Sequence, residues 1–313
     1  MGEFELIRRH FTRPSTAPGV VLGVGDDCAL LAPRAGWQLA VSTDMLVEGR
    51  HFLSTVDPAA LGHKALAVNL SDLAAMGAEP LGCTLALALP QVDEPWLTAF
   101  ARGLFALADV SGCALVGGDT TRGPLNLCLT VLGQVPAGQA LRRDAARAGD
   151  DIYVSGALGE ARLALEALLG QAPLDAATLA HCRARLERPT PRLALGAALR
   201  GVAHAAADVS DGLAGDLGHI LAASGVGAVL ETVALQGVGG EGVPLDFVLH
   251  GGDDYELVFT AAPEATGAVA QAAAHTGTRV TRIGRIEATP GLRLRGADGQ
   301  TQAHVARGFD HFV

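Results

Sequence analysis

The stretch GVGDDCALL (23–31) sets two adjacent carboxylates, Asp26 and Asp27, in a glycine-hinged turn and returns at once to apolar residues. Taken alone, paired acids in a turn are most often solvated surface or turn formers. The same pattern, an apolar run leading into an acid-bearing turn, recurs in VSTD (41–44), LVGGDTT (115–121), ADVSDG (207–212) and HGGDDYE (250–256). Asp, Ser and Thr offer hard oxygen ligands, suited to Mg²⁺ or Ca²⁺ and poor for soft metals. No acid series matches an EF-hand loop, and the acids spread over about 230 residues, which fits a site assembled from several chain segments.

Gathered carboxylates repel one another unless cations neutralise them. Mg²⁺ ordinarily takes one or two carboxylates and completes its shell with substrate phosphates, so converging acids point to a nucleotide held through more than one metal ion. Phosphoryl transfer is the matching reaction: it needs positioning and charge neutralisation, and the chain has no evident nucleophile–base pair. The common nucleotide motifs GxxxxGK[ST], GxGxxG, HRD and DFG are all absent. Gly117 and Gly118, before Asp119, either let the backbone approach a phosphate or make a tight turn.

Strands and helices must carry these acids. WQLAVSTD (37–44), GCTLALALP (82–90) and NLCLTVLGQV (126–135) read as strands, bounded by turn residues. Between them, 62–77 has the apolar density of a buried helix, with Asn69 and Asp72 forming a polar stripe, and Asp93 opens a second helix bearing Trp96, Phe100 and Leu104. The charged segment RRDAARAGD (142–150) breaks the pattern, and we place a domain boundary there. A strand at 151–156 follows, then helices over about 159–200, an acidic turn at 207–212, a helix with Leu213, Leu217 and Leu221 on one face, and strands at 227–233, 256–261 and 278–286.

At 313 residues and 49% hydrophobic, the chain can build two domains with real cores. Its net charge of −10 argues against nucleic acid or an anionic membrane as partner, and an anionic substrate would arrive with metal. The longest apolar runs are too short to cross a bilayer and the first residues are amphipathic and charged, which leaves the cytoplasm. Five widely spaced cysteines with no CxxC pair read as reduced thiols, small buried hydrophobes outside any disulfide framework or zinc site.

GEFELI (2–7), GVGDDCALL (23–31), STDMLVEGRHF (42–52), KALAVNLSDLAAMGAEP (64–80), GGDTTRGP (117–124), DVSDGLAGDLGHI (208–220), GGDDYEL (251–257) and GFDHF (308–312) together resemble thiamine-monophosphate kinases, of the aminoimidazole ribonucleotide synthetase-like superfamily. The resemblance runs nearly end to end; 157–200 and 232–248 carry little of it. It implies a two-domain fold, α/β plus α+β: an N-terminal ATP- and Mg-binding domain over 1–140, whose sheet pairs across a homodimer, and a C-terminal α+β domain over 148–313. It implies transfer of the ATP γ-phosphoryl group to thiamine monophosphate, aided by several Mg²⁺ ions.

Carried over position by position, Asp27, Ser42, Thr43, Asp44, Asp72, Asp119, Asp208 and Asp211 would be metal ligands. Gly118, Asp119, Arg143 and Ser210 would hold ATP, and His51, Asp253 and Phe309 the thiamine phosphate. Asp26 would shape its turn. Arg143 suits a phosphate clamp, being permanently charged and multidentate, although an Arg in a polar linker is otherwise a solvated residue. Asp208, Ser210 and Asp211 stand before a helix and could also cap it; Phe309 could also be core. The family commonly has Glu at the position of Asp253.

The acceptor is already an anion, so no general base or covalent nucleophile is expected, and transfer is direct, without a phosphoenzyme. Relatives that activate selenium carry a reactive Cys or selenocysteine with a Lys in the N-terminal loop, but Cys28 has no adjacent Lys. The hydrogenase-maturation relative ends in a reactive Cys, whereas this chain ends in HFV. The purine-pathway relatives fit STDMLVEGRHF and GGDDYEL less well. A protein that binds the ligands without turnover is the reading from another class.

Overall fold

The computed structural model describes residues 2–13, 17–240 and 242–309, and the chain divides into two units: Met1–Leu73 with Ala78–Gly138, and Ala74–Gly77 with Gln139–Val313. The first unit opens with α1 (Glu3–His10), acidic in its first turn and basic in its last, as the helix dipole favours. A small ribbon, β1 (Val20–Leu22) with β2 (Leu30–Leu31), brackets the Asp26–Asp27 turn. Then come β3 (Trp37–Val47), α2 (Pro58–Ala75), β4 (Glu79–Leu89), α3 (Glu94–Ser111), β5 (Ala114–Arg122) and β6 (Asn126–Pro136).

These strands form one sheet in the order β3-β6-β4-β5, antiparallel except for the β4–β5 pair. Period-2 alternation buries Leu85, Leu87 and Leu89 of β4 and Leu127, Leu129 and Val131 of β6. Asp93 starts α3 by accepting the Trp96 N–H, and Gly112 in the left-handed region ends it. The helices α2 and α3 approach so closely that a Cβ at Gly103 would lie 1.8 Å from the Ala59 carbonyl oxygen.

Two of the five acid-bearing segments are not turns. VSTD lies inside β3, with Asp44 in register with Leu129, and GGDTT lies inside β5. The β-branched residues around each acid, with a paired neighbour strand, outweigh the turn preference of a lone Asp or Gly. In β5 an extra residue opposite Cys83 and Thr84 makes a bulge, and a Cβ at Gly118 would fall 1.9 Å from the Leu85 carbonyl oxygen. Neither alternative read for Gly118 from the sequence accounts for that contact, since the neighbouring strand is what demands glycine there.

The second unit follows a 3₁₀ turn, Arg143–Ala145. It contains β7 (Asp151–Ser155), α4 (Glu160–Leu168), α5 (Ala176–Glu187), α6 (Leu193–Ala198), β8 (Ala205–Val209), α7 (Leu213–Ser224), β9 (Gly227–Glu231), α8 (Thr232–Gly239) and α9 (Leu245–His250). After these come β10 (Glu256–Ala261), α10 (Thr266–Thr276), β11 (Val280–Glu287), β12 (Gly291–Arg295) and β13 (Thr301–His304). The seven-stranded sheet runs β13-β12-β9-β11-β7-β10-β8, antiparallel apart from β9–β12. One core joins Ile152, Val154 and Val258 to Leu213, Leu217 and Ile220 of α7, and a second joins Tyr153, Leu257 and Phe259 to Leu195, Leu199 and Val269. The sheet is therefore covered on both faces, which explains why β7, β8 and β10 are buried at every position.

The fold is α/β in the first unit and α+β in the second. The strand read at 227–233 stops at Glu231, where α8 begins. Cys83, Cys113 and Cys182 are buried, but Cys28 is exposed in its turn and Cys128 is half-buried. Among the described residues no helix is long and apolar enough to cross a membrane.

Candidate active site

In the first unit a cavity of about 1010 Å³ is lined by α1, the 24–29 turn and the bulged part of β5. Asp27, Gly118 and Asp119 all line it, with Thr84 and Thr120. Asp26 folds back on its own turn, its carboxylate accepting the Asp27 N–H (2.8 Å). Asp27 and Asp119 are both exposed.

A second group forms where β3 meets α2. Ser42 donates to Asp72 (2.5 Å), and the Asp44 N–H donates to the buried Asn69, whose amide nitrogen donates in turn to the Ala65 carbonyl (3.1 and 3.0 Å). Strand alternation puts Ser42 and Asp44 on one face and Thr43 on the other. There the Thr43 hydroxyl pairs with that of Thr130 (2.8 Å), beside exposed Leu39, Val41 and Met45. The structure thus brings Ser42, Asp44 and Asp72 together and turns the Thr43 side chain away from them.

His51 accepts the Val47 N–H on Nδ1 (3.0 Å), so the neutral ring carries its proton on Nε2. Its carbonyl accepts from Lys64 (3.2 Å), a side chain only 2% exposed. Lys64 was not among the residues singled out from the sequence. A charge in the apolar run GHKALAVNL, eight residues before Asp72 on the same helical face, is the signal that marks it.

In the second unit everything converges on the turn after β8. Asp208 is buried at the end of that strand. The carbonyls of Val209, Ser210 and Asp211 accept the N–H groups of Tyr255 (2.8 Å), Asp253 (2.8 Å) and Phe309 (3.1 Å) respectively. Two segments far apart in sequence, 253–255 and the one bearing Phe309, are so fixed around three consecutive residues. The backbone at Gly308 lies so close to α7 that a Cβ at Gly215 would come within 2.5 Å of it. Residues 310–312 of the terminal motif lie outside the described residues.

Asp253 (φ +66°) and Tyr255 (φ +51°) both adopt left-handed backbone. Asp tolerates that region, whereas a Tyr there is strained and must be held by its surroundings. Two buried acids supply that support. Asp254 accepts the Gly159 N–H (2.8 Å), and burial pushes its carboxyl well above the usual range. Glu256, fully buried, accepts from Arg185 (2.7 Å), Arg192 (2.6 Å) and Ser155 (2.5 Å).

A further carboxylate, Asp216 on the first turn of α7, accepts the Ser210 and Asp211 N–H groups on one oxygen (3.1 and 3.0 Å). Burial raises it to about 7, against the pull of those two donors. Arg143 is exposed on its 3₁₀ turn, which Ser224 holds by donating to the Arg143 carbonyl (2.8 Å) and accepting the Ala146 N–H.

Residues 25–135 match the family AIR synthase related protein, N-terminal domain, and 147–297 match its C-terminal domain. Thiamine-monophosphate kinase of Salmonella typhimurium is 48% identical over 100% of this chain and 98% of its own length, and that of Escherichia coli K12 is 46% identical over the same shares. The chain belongs to the thiamine-monophosphate kinase family. The crystal structure of thiamine-monophosphate kinase from Stenotrophomonas maltophilia K279a shares 50% identity with a TM-score of 0.83, over 91% of this chain and 93% of that one. AaThiL complexed with AMPPCP and TMP shares 28% identity with a TM-score of 0.77, over 99% and 96%. Hydrogenase maturation protein HypE in complex with ATP shares the fold at 20% identity, with a TM-score of 0.78.

The donor set suits the metal that a thiamine-monophosphate kinase resemblance implies. Asp27, Asp44, Asp72, Asp119, Asp208 and Asp211 are all hard oxygen donors. Among the described residues no three His, Cys, Asp or Glu side chains gather to hold an ion. Mg²⁺ takes one or two carboxylates and keeps water and substrate phosphate in its shell. At φ +66° Asp is a carboxylate residue well suited to position 253, since its short side chain tolerates the left-handed region.

Proposed function

We propose that this chain phosphorylates thiamine monophosphate with ATP to give thiamine diphosphate and ADP, and that it works as a cytoplasmic homodimer. The observation that carries the reading is the likeness over nearly the full length of both chains to AaThiL in complex with AMPPCP and TMP, supported by relatives at 46–48% identity that share the kinase name. The exposed apolar row Leu39, Val41 and Met45 on edge strand β3 supports pairing with a second copy.

Asp27, Ser42, Asp44, Asp72, Asp119, Asp208 and Asp211 are assigned to several Mg²⁺ ions, which neutralise charge on both phosphate groups when bound. Thr43 joins them only through its main chain, given where its hydroxyl lies. Gly118, Asp119, Arg143 and Ser210 hold the nucleotide, Arg143 through its planar, multidentate guanidinium. His51 donates from Nε2 to the acceptor phosphate, Asp253 orients the thiamine end, and the Phe309 ring offers a π face to its cationic thiazolium. The acceptor is itself an anion, so the protein's task is alignment, and no side chain has to take a proton or form a bond.

The test follows ADP and thiamine diphosphate from ATP and Mg²⁺, with and without thiamine monophosphate. Equal amounts of both products, only when the acceptor is present, are expected. ADP formed without it, or tight binding of both ligands with no ADP, sinks the reading. Direct transfer fails if labelled phosphate stays covalently on the protein after ATP alone.

A further inference from the structure

The 209–211 turn distributes three carbonyls to Tyr255, Asp253 and Phe309, so its own conformation sets where those residues stand. Its two remaining main-chain donors, on Ser210 and Asp211, end on a single oxygen of Asp216. That side chain is 2% exposed and sits on the α7 face that otherwise presents Leu213, Leu217 and Ile220 to the core. A carboxylate at an apolar core position is costly unless hydrogen bonds satisfy it, and here the satisfying donors are the site's own backbone.

We propose that Asp216 is a positioning residue of this site. One buried oxygen fixes the Ser210 and Asp211 main chain, and through their carbonyls it fixes the left-handed Asp253 and the segment bearing Phe309. It touches no substrate. The glycines around it leave the turn little other room: a Cβ at Gly252 would stand 2.5 Å from the Ser210 carbonyl oxygen, and one at Gly212 would stand 2.9 Å from the His250 backbone. A side chain that only capped α7 would stabilise the helix and leave the geometry of residues 253 and 309 alone.

The inference rests on the kinase reading for its kinetic arm only. Amide hydrogen exchange of the ligand-free full chain reads positioning without activity. Asp216→Ala is expected to speed exchange at Ser210, Asp211, Asp253 and Phe309 by roughly tenfold or more, while β7 amides stay protected. At a temperature where circular dichroism shows the variant folded, kcat falls by roughly thirtyfold and KM for thiamine monophosphate rises. Asp216→Asn keeps an acceptor oxygen in place and is expected to restore both readouts to within about threefold of wild type.

If Asp216→Ala does not fold, Asp216→Glu keeps the carboxyl group but displaces the oxygen by a methylene and is expected to behave as the alanine variant should. Wild-type exchange at the four amides, or a uniform loss of protection with unchanged kcat and KM, overturns the proposal. Wild-type protein that forms no thiamine diphosphate overturns the kinase reading instead, and the exchange data still judge Asp216.

Discussion

In the first unit Asp27 and Asp119 stand exposed in a cavity lining, and Ser42 and Asp72 hold one another through side chains. In the second, Asp208, Ser210, Asp211, Asp253 and Phe309 are tied to one turn through the main chain, with the buried acids Asp216, Asp254 and Glu256 behind them. Backbone bonds inside a packed sheet set a geometry before any ligand arrives. Exposed side chains gain a fixed position only when a cation or phosphate binds. The candidate residues of the first unit are thus held through side chains, and those of the second through the main chain.

The comparison breaks most readily at Glu256. Replacing it with leucine leaves Arg185 and Arg192 facing a lost partner in the interior and should cost about 3–5 kcal/mol in urea unfolding. A loss below about 1 kcal/mol would show that the buried acids do not support the second site.

Asp44→Asn should act the other way, lowering kcat by roughly a hundredfold or more while the melting temperature holds to within about 3 °C, since it removes the charge of a proposed metal ligand and no packing. A large fall in melting temperature would place Asp44 with the structural acids.

The pH dependence separates the units further. Burial raises the Asp216 carboxyl from the usual 3.8 to about 7 in the folded chain, so the fold favours the neutral acid. Its contribution to stability is full below about pH 4 and is lost as pH rises through about 7. Metal-free wild type should lose stability relative to Asp216→Asn across that window; a constant difference, followed by denaturant titration at each pH, refutes it.

The smallest effects lie on β3. Ser42→Ala removes the donor to Asp72 and should raise the Mg²⁺ concentration for half-maximal activity by roughly three- to tenfold, whereas Thr43→Val, on the other face, should change it by less than about twofold. Equal effects would mean that strand alternation does not sort these two neighbours.

Much of this was readable in the residues. Asp93 with the Trp96, Phe100 and Leu104 spacing announced α3, the Leu213, Leu217 and Leu221 spacing announced α7, and the apolar runs announced β3, β4 and β6. Strand β8 was hidden because AHAAADV has alanines where strand formers are expected, and its burial on both faces removes the period-2 signal. VSTD and GGDTT looked like turns because propensity is local, and only their partners in the sheet make them strands.

By itself the sequence determined the chemistry available: an acidic chain rich in oxygen ligands, with family motifs in order from end to end. Tertiary structure alone decided which of those oxygens meet. Ser42 and Thr43 are neighbours in the chain with similar hydroxyls, yet the pleat sends one to Asp72 and the other to Thr130. Residues 211, 253 and 309 are separated by tens of residues, yet hydrogen bonds to one turn join them. Side-chain type is a property of each residue, whereas proximity depends on pairing register and helix packing, which the whole chain fixes together.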